Sequence, residues 1–563
     1  MREYSFMLGI RRRIAVISVC LLALFAAACG TQDEIKCPEA NRMAEANETN
    51  GADIEPIRET PMPTPVPTEE PWQEEGREIK LPEEERYHYD MDIVLDITEK
   101  KLRGHVVFDF YNDTDKTWDK LCMRDYPSLL SDPEAAGYGE GKDFHGALTE
   151  IDSLTDGRDG SGISFERDED VSVLWLTLEK PLEPGEKMTL TYDYTATVPN
   201  IGDRFGYLNG IYCMADFYPI LAEYDREGWE REPFCSAGEG CYSEVADYDV
   251  RITLPNDFDV ASTGVTTARR NNGATATFVF HADCVRNFMF TTSDAFVRKE
   301  ETFDDVKVNL LYVKEYDEMK YMAGAVEAAM KAAEDSLAAF GNALGRYPYS
   351  ELDIVITPLQ ADGIGYPNIV VITDEVFRPF ALQETVKTAT EVSYGMLEES
   401  IAHEIGHQWL LGIVGSNSRL QPWQEESLTS YLELVFAEYR GKTEWASGRY
   451  GNSQADLRDP EVVSLYAQNE FLPINKAPAE YSDITKCNIS TSNMGRMVFM
   501  QMEEILGQKE LYSVLREYVR RNAFKNAEPE DFFAVLYEFA GTDNAELNAL
   551  LENCFDLSRL REK

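Results

Sequence analysis

The strongest constraint on this chain is a five-residue block, His403-Glu404-Ile405-Gly406-His407, with Glu426 following it. On a helix, residues four apart share a face, so the two imidazoles present donors to one point in space. That is the spacing of a metal site. Glu404, one position round from His403, stands where a carboxylate can take a proton from a water on the metal. Trp423-Gln-Glu-Glu-Ser-Leu428 then opens a second apolar-periodic segment through Tyr431, Leu432, Val435, Phe436 and Tyr439, so Glu426 belongs to its first turn. The chain is expected to fold so that these two helices meet. Two histidines and one carboxylate around one zinc ion leave a fourth position open, as catalytic rather than structural zinc sites do. The chain has only six histidines, which makes an accidental pairing around a glutamate a poor explanation.

At 563 residues the chain is too long for one ordinary core, and two or three domains are expected. Its net charge of −48 argues against nucleic acid and anionic membrane surfaces as partners. Residues 1–29 read as an export signal: Arg11-Arg12-Arg13 precede an apolar run from Ile14 to Ala27 that is short for a membrane span. Phe25-Ala-Ala-Ala-Cys29-Gly30 resembles a bacterial lipoprotein cleavage box, which makes Cys29 the expected lipidated N-terminus. The competing reading is a plain secretory signal with an incidental cysteine. On the lipoprotein reading, the protein sits in the cell envelope on the extracytoplasmic face of a bacterial membrane, which it touches through the lipid anchor alone. Residues 30–80 are acidic and rich in proline (Pro61, Pro63, Pro65, Pro67, Pro71) and read as a disordered tether. Among the remaining cysteines, Cys235 and Cys241 are the candidates for a local pairing, and sequence leaves connectivity open.

From Tyr87 the period becomes that of strands. Tyr87–Leu95 and Gly104–Tyr111 flank a polar turn and form a hairpin, and further strand-like runs make residues 81–298 an all-β domain. Residues 299–563 then alternate strand and helix. Val306–Val313 is a strand, Glu318–Phe340 a helix, and Arg346–Thr357 and Asn368–Thr373 two strands joined by Gly-rich residues 361–367. The segments Met494–Leu506, Leu511–Arg521, Pro529–Ala540 and Ala545–Cys554 are helical.

The motif His403-Glu-Ile-Gly-His-Gln-Trp409 with distal Glu426 resembles the membrane alanyl aminopeptidase family of gluzincin zinc peptidases, with weaker similarity from about Arg86 to the C-terminus. The resemblance implies a multidomain fold: an N-terminal all-β, saddle-like domain, then a thermolysin-like α+β zinc peptidase domain with C-terminal helices. Set against the longest members, the chain is expected to lack their large C-terminal helical domains. It also implies one zinc ion on His403, His407 and Glu426, with Glu404 as general base and a peptide or protein as substrate. An edge strand, placed near Asn368–Ile372, would hydrogen-bond an extended peptide.

Two departures bear on function. The family's loop glutamate, which holds the substrate's free ammonium, aligns with Gly365 of Asp362-Gly363-Ile-Gly365-Tyr366-Pro-Asn368, so Gly363, Gly365 and Tyr366 are the candidate substrate-binding residues and Asp362 a nearby substitute carboxylate. A glycine there would also leave room for a chain continuing past the metal. The family's oxyanion-binding tyrosine aligns with Ser492, leaving Tyr481 or Tyr366 to supply a phenol. The expected function is an extracytoplasmic zinc metallopeptidase, aminopeptidase-like with altered N-terminus recognition. The alternative is a non-hydrolytic, zinc-retaining surface lipoprotein that binds peptides or a protein partner.

Overall fold

A computed structural model describes residues 78–131, 148–233, 242–318, 324–376, 387–441 and 455–560, with side chains from Met396 onward in the helix that begins at Lys387. The signal peptide with Cys29, nearly all of the tether and the Cys235/Cys241 pair lie outside these residues.

The hairpin read from alternation is present as Tyr87–Asp96 antiparallel to Lys101–Tyr111. One face of each strand is buried: Tyr89, Met91, Ile93 and Leu95 on the first, Leu102, Val106, Phe108 and Phe110 on the second. The Tyr89 and Phe108 rings stack with centroids 3.9 Å apart across the pair, the cross-strand contact that sets register. The hairpin lies at the centre of an eight-stranded sheet. Ala246–Pro255 pairs with its first strand in parallel and Lys187–Thr197 with its second in antiparallel fashion. Gly104 is needed where the Tyr194 ring crosses the sheet face, since a Cβ there would lie 2.1 Å from a ring carbon. Two four-stranded sheets and a two-stranded one, Tyr224–Asp225 with Gly228–Trp229, complete this all-β region, over a core that includes Tyr192, Tyr248, Phe217 and Phe288.

The second half is built on a mixed five-stranded sheet in the order Phe296–Phe303, Val306–Val313, Glu351–Thr357, Ile369–Thr373 and Gly363–Tyr366. The three central strands run parallel and the two outer ones antiparallel to their neighbours. Two expectations change here. The Gly-rich stretch is not a simple joint but a strand of its own, Gly363–Tyr366, and it takes the edge position expected of Asn368–Ile372, which is covered on both sides. Glycines mask strand propensity, so the pattern could not show it. The boundary expected at 298/299 falls inside the strand Phe296–Phe303, whose charged run Arg298-Lys299-Glu300-Glu301 hid its continuity.

The helices pack on the other side. Ala325–Leu344, rich in buried alanine, lies against the helix Lys387–Gly406, and Trp423–Tyr439 crosses both. The C-terminal helices form as read, within one to three residues at their ends: Gly495–Leu506, Gln508–Asn522, Pro529–Ala540 and Ala545–Cys554. Among the described residues, Cys122, Cys213, Cys284, Cys487 and Cys554 are buried free thiols.

The two halves share buried contacts. Cys213, Ala215, Ala261 and Met289 of the β region meet Leu311, Val355, Ile364 and Val371 of the five-stranded sheet in one apolar cluster. Arg286, 2% exposed, donates to Leu411 O (2.7 Å), Ser243 O (2.9 Å) and Lys525 O (2.7 Å) as well as Asn526 Oδ1 (2.5 Å). A Cβ on Gly415 would lie 2.2 Å from the guanidinium carbon, so the backbone there is glycine because Arg286 passes over it. Replacing Arg286 by alanine leaves these buried acceptors unpaired, and a hydrogen bond to a charged donor contributes about 1.5–3 kcal/mol net of the water it replaces, without being additive over several. Arg286→Ala is expected to lower unfolding stability by roughly 2–4 kcal/mol in denaturant titration; a loss below about 0.5 kcal/mol would show that the guanidinium does not fasten the halves together.

Candidate metal centre

His403 and Glu404 lie in the last turn of the helix Lys387–Gly406, and His407 extends that turn through a 3.3 Å bond from its backbone N–H to His403 O. Gly406, between them, is where this helix touches Trp423–Tyr439: a Cβ on Gly406 would lie 2.8 Å from Thr429 Cγ2. The close crossing lets a side chain as short as Glu426 reach both imidazoles. His403 Nε2 is 3.2 Å from His407 Nε2 and 3.7 Å from Glu426 Oε2, and the three candidate donor atoms all lie within 4.8 Å of one another. Tetrahedral zinc, with bonds of about 2.0–2.1 Å, holds its ligand atoms about 3.3 Å apart, so small side-chain adjustments would bring the three residues onto the ion.

The remaining ring nitrogens are tied down elsewhere, which turns both Nε2 atoms toward the shared point. His403 Nδ1 is 2.8 Å from Glu433 Oε1, and Glu433 Oε2 in turn accepts a 2.8 Å bond from Arg496. His407 Nδ1 is 3.3 Å from Leu410 O. Such outer partners orient metal-binding imidazoles and raise their basicity. Burial works against charge on His403, but the Glu433 hydrogen bond and the charges of Glu404, Glu433 and Glu426 outweigh it and push the ring up to about 10. His407, 1% exposed and beside that charge, is driven well below the usual imidazole range. The site thus attracts one positive charge to a point between two rings, the electrostatic demand that a divalent ion meets.

The edge strand Gly363–Tyr366 runs directly against Glu404. A Cβ on Gly363 would lie 2.4 Å from Glu404 Oε1, and one on Gly365 would lie 2.7 Å from His407 Cβ. The space imagined for a continuing substrate at Gly365 is therefore already filled by His407, and glycine is there because the strand must pass this close. A side chain as large as glutamate at this register would force strand and helix apart. Gln408 holds the two together, donating to Tyr366 O (2.8 Å) and accepting from Asn368 N (2.8 Å). The Tyr366 hydroxyl donates to Asp216 Oδ2 at 2.9 Å, and Asp216 Oδ1 accepts from Asn287 at the same distance. The phenol of Tyr481 donates to Ser490. Asp362 is exposed at the strand's start.

Ser492 does stand beside the centre: its hydroxyl makes a long 3.4 Å bond to Glu426 Oε2. It is carried there by a π-helical turn, Ile489–Met494, held to the Glu426 helix by Ser427 Oγ donating to Thr491 O at 2.6 Å. Sequence reading missed Glu433 and Arg496. Glu433 lies seven residues after Glu426, two turns along the same face, so the spacing held the signal. Arg496 had none, and neither did Arg204, half-buried after the strand Lys187–Thr197, whose charge reaches His407 and Glu426.

The fold resembles that of solved zinc metallopeptidases, and the donor set is one that a zinc ion fits. Residues 328–553 match the Peptidase family M1 domain. The chain is 27% identical over 201 residues to Aminopeptidase M1-B of Oryza sativa subsp. japonica, covering 35% of this chain and 21% of that protein. It is 23% identical over 203 residues to Aminopeptidase N of Streptomyces lividans, covering 35% and 22%. The matches thus span about a fifth of the length of these relatives. Among solved structures, the M1 zinc metallopeptidase from Deinococcus radiodurans superposes with a TM-score of 0.57 at 14% identity, covering 85% of this chain and 96% of that one. The resemblance to the membrane alanyl aminopeptidases and the β-then-α fold it implied are both borne out.

The Glu433 contact carries a measurable consequence. Loss of an outer-shell partner commonly costs about 10- to 100-fold in metal affinity. Glu433→Ala is expected to weaken zinc binding by that factor in chelator competition; an unchanged affinity would mean that His403 is oriented by something else.

Proposed function

We propose that the protein is a zinc-dependent peptidase of the cell envelope, aminopeptidase-like but without the usual requirement for a free substrate N-terminus. The observation that carries this reading is the placement of Glu404. Its carboxylate lies against the glycine edge strand on one side and next to His403 and His407 on the helix, in a site where it is only 4% exposed. A protein that merely stored zinc has no use for a buried carboxylate there.

Zinc held by His403, His407 and Glu426 would supply Lewis acidity and a water acidic enough to be deprotonated near neutral pH. Glu404 accepts the proton of the attacking water and returns it to the leaving amine. The edge strand Gly363–Tyr366 offers an extended substrate one ladder of backbone hydrogen bonds, which places the scissile bond beside Glu404 without reading its side chains. Burial strengthens each of these polar contacts. Ser492 replaces a phenol with a short hydroxyl already engaged with Glu426, which favours slow turnover.

Recognition of the substrate amine is the unusual part. An ammonium clamp of one charge-assisted hydrogen bond contributes about 1.5–3 kcal/mol, and Gly365 cannot supply it. The signal-like first 29 residues and Cys29 support export and lipid anchoring, and peptides met outside the cytoplasm are the substrates this places within reach.

Three measurements test the reading. Glu404→Gln should lower peptide turnover roughly a hundred- to ten-thousand-fold while zinc stays stoichiometric; turnover equal to the parent would remove the enzyme assignment. N-acetylation of a cleaved peptide should change kcat/KM less than about tenfold, whereas a working clamp would give more. Gly363→Ala displaces the Glu404 carboxylate, and a kcat reduced about a hundredfold at full zinc content is expected.

A further inference from the structure

Arg204 is a cation beside a centre that itself takes one, and the peptidase reading leaves it without a task. It ends the turn between the strands Lys187–Thr197 and Phe205–Leu208. That turn is fixed against both halves of the molecule. Tyr207 N donates to Pro199 O (2.9 Å) and Ala215 N to Arg204 O (2.9 Å). A Cβ on Gly202 would lie 2.9 Å from Pro358 O, so the turn presses on the chain that leads from Glu351–Thr357 into the edge strand Gly363–Tyr366. One residue past Ala215, the Asp216 carboxylate receives the Tyr366 hydroxyl at 2.9 Å. Arg204 is thereby held at the Tyr366 end of the strand whose glycines press on Glu404 and His407. It is half-buried, and its charge acts on His407 and Glu426 in the metal centre and on Asp216 beside them. The guanidinium lies on the cleft side of its turn.

We propose, on the peptidase reading, that Arg204 determines specificity by holding a carboxylate of the bound peptide beside the metal centre. A guanidinium next to a site built for a divalent ion repels that ion, and an anion lying between them turns the repulsion into two attractions. The substrate is what can bring it. Among the carboxylates of the chain itself, Asp216 accepts already from Tyr366 and Asn287 (2.9 Å each), Glu426 belongs to the donor set, and Glu404 handles the proton. Arginine keeps its charge at every working pH, and its planar fork matches a carboxylate with two parallel hydrogen bonds. A neutral carbonyl could take one such bond but leaves the charge unanswered. An ammonium at that place would meet like charge. The carboxylate can belong to a glutamate or aspartate side chain or to the C-terminus of the peptide, which present the same chemistry.

Binding is read on full-length, zinc-loaded protein carrying Glu404→Gln, by calorimetric titration with peptides in which glutamate replaces glutamine one position at a time, each with a free and an amidated C-terminus. At one position glutamate is expected to bind at least about tenfold more tightly than glutamine, a ratio typical of a charge-assisted pair. If amidation rather than the side chain sets the affinity, the C-terminus is the source. Arg204→Gln on the same background should abolish the charge preference, and Arg204→Glu should reverse it toward lysine. Should these not fold, Arg204→Lys, which keeps the charge and loses the fork, should retain only part of the preference. With Glu404 intact, Arg204→Gln should raise KM for the preferred peptide by a larger factor than it lowers kcat. Affinities within about twofold for glutamate, glutamine and amidated peptides, or a preference that survives in folded Arg204→Gln protein, would overturn the proposal. So would an equal fall in kcat for every peptide, which assigns the guanidinium to the developing oxyanion. Charge-selective binding without turnover in the parent protein would remove the peptidase reading and leave the carboxylate site standing.

Discussion

The centre depends on how closely two helices cross. Gly406 lets the backbone that carries His403 and His407 press against Thr429, and without that contact Glu426 could not come within 4 Å of an imidazole. A side chain at position 406 would have to move from 2.8 Å to ordinary contact with Thr429, which opens the crossing by roughly 1 Å. A tetrahedral ion tolerates only a few tenths of an ångström in its ligand positions, so such a shift costs affinity steeply. The middle of the motif is therefore as constrained as its ends.

Charge is arranged around that crossing in layers. His403 lies between Glu426 and Glu433, two carboxylates from one helix face, and Arg496 balances the outer one. Leaving any of these buried charges alone would be expensive, and together they hold the imidazole in one orientation. The same economy of space governs the other side, where Gly363 and Gly365 bring the edge strand against Glu404 and His407. The position that would carry an ammonium-binding glutamate is thus committed to packing, a physical reason for expecting the two properties to exclude each other here.

The β region is fastened to the half that carries the metal centre rather than appended to it. Arg286 reaches Leu411, four residues past His407, and Asp216 accepts from the Tyr366 hydroxyl at the end of the edge strand. Arg419 lies over the Tyr126 ring at 5.2 Å and 3.6 Å from Glu230, tying the loop before the Glu426 helix to the same region.

Much of this was legible from the chain. Alternation marked the Tyr87–Tyr111 hairpin, apolar spacing marked the C-terminal helices, and i, i+4 histidines with a distal glutamate marked the donor set, because each depends on local periodicity or on residue chemistry. What periodicity cannot carry was decided by tertiary structure. The glycine strand at the sheet edge, the strand spanning 296–303 and the Glu433–Arg496 support all arise where segments distant in sequence pack together. The reason is that sequence pattern records which face of an element is buried, whereas distance between faces is set only when the elements close on one another.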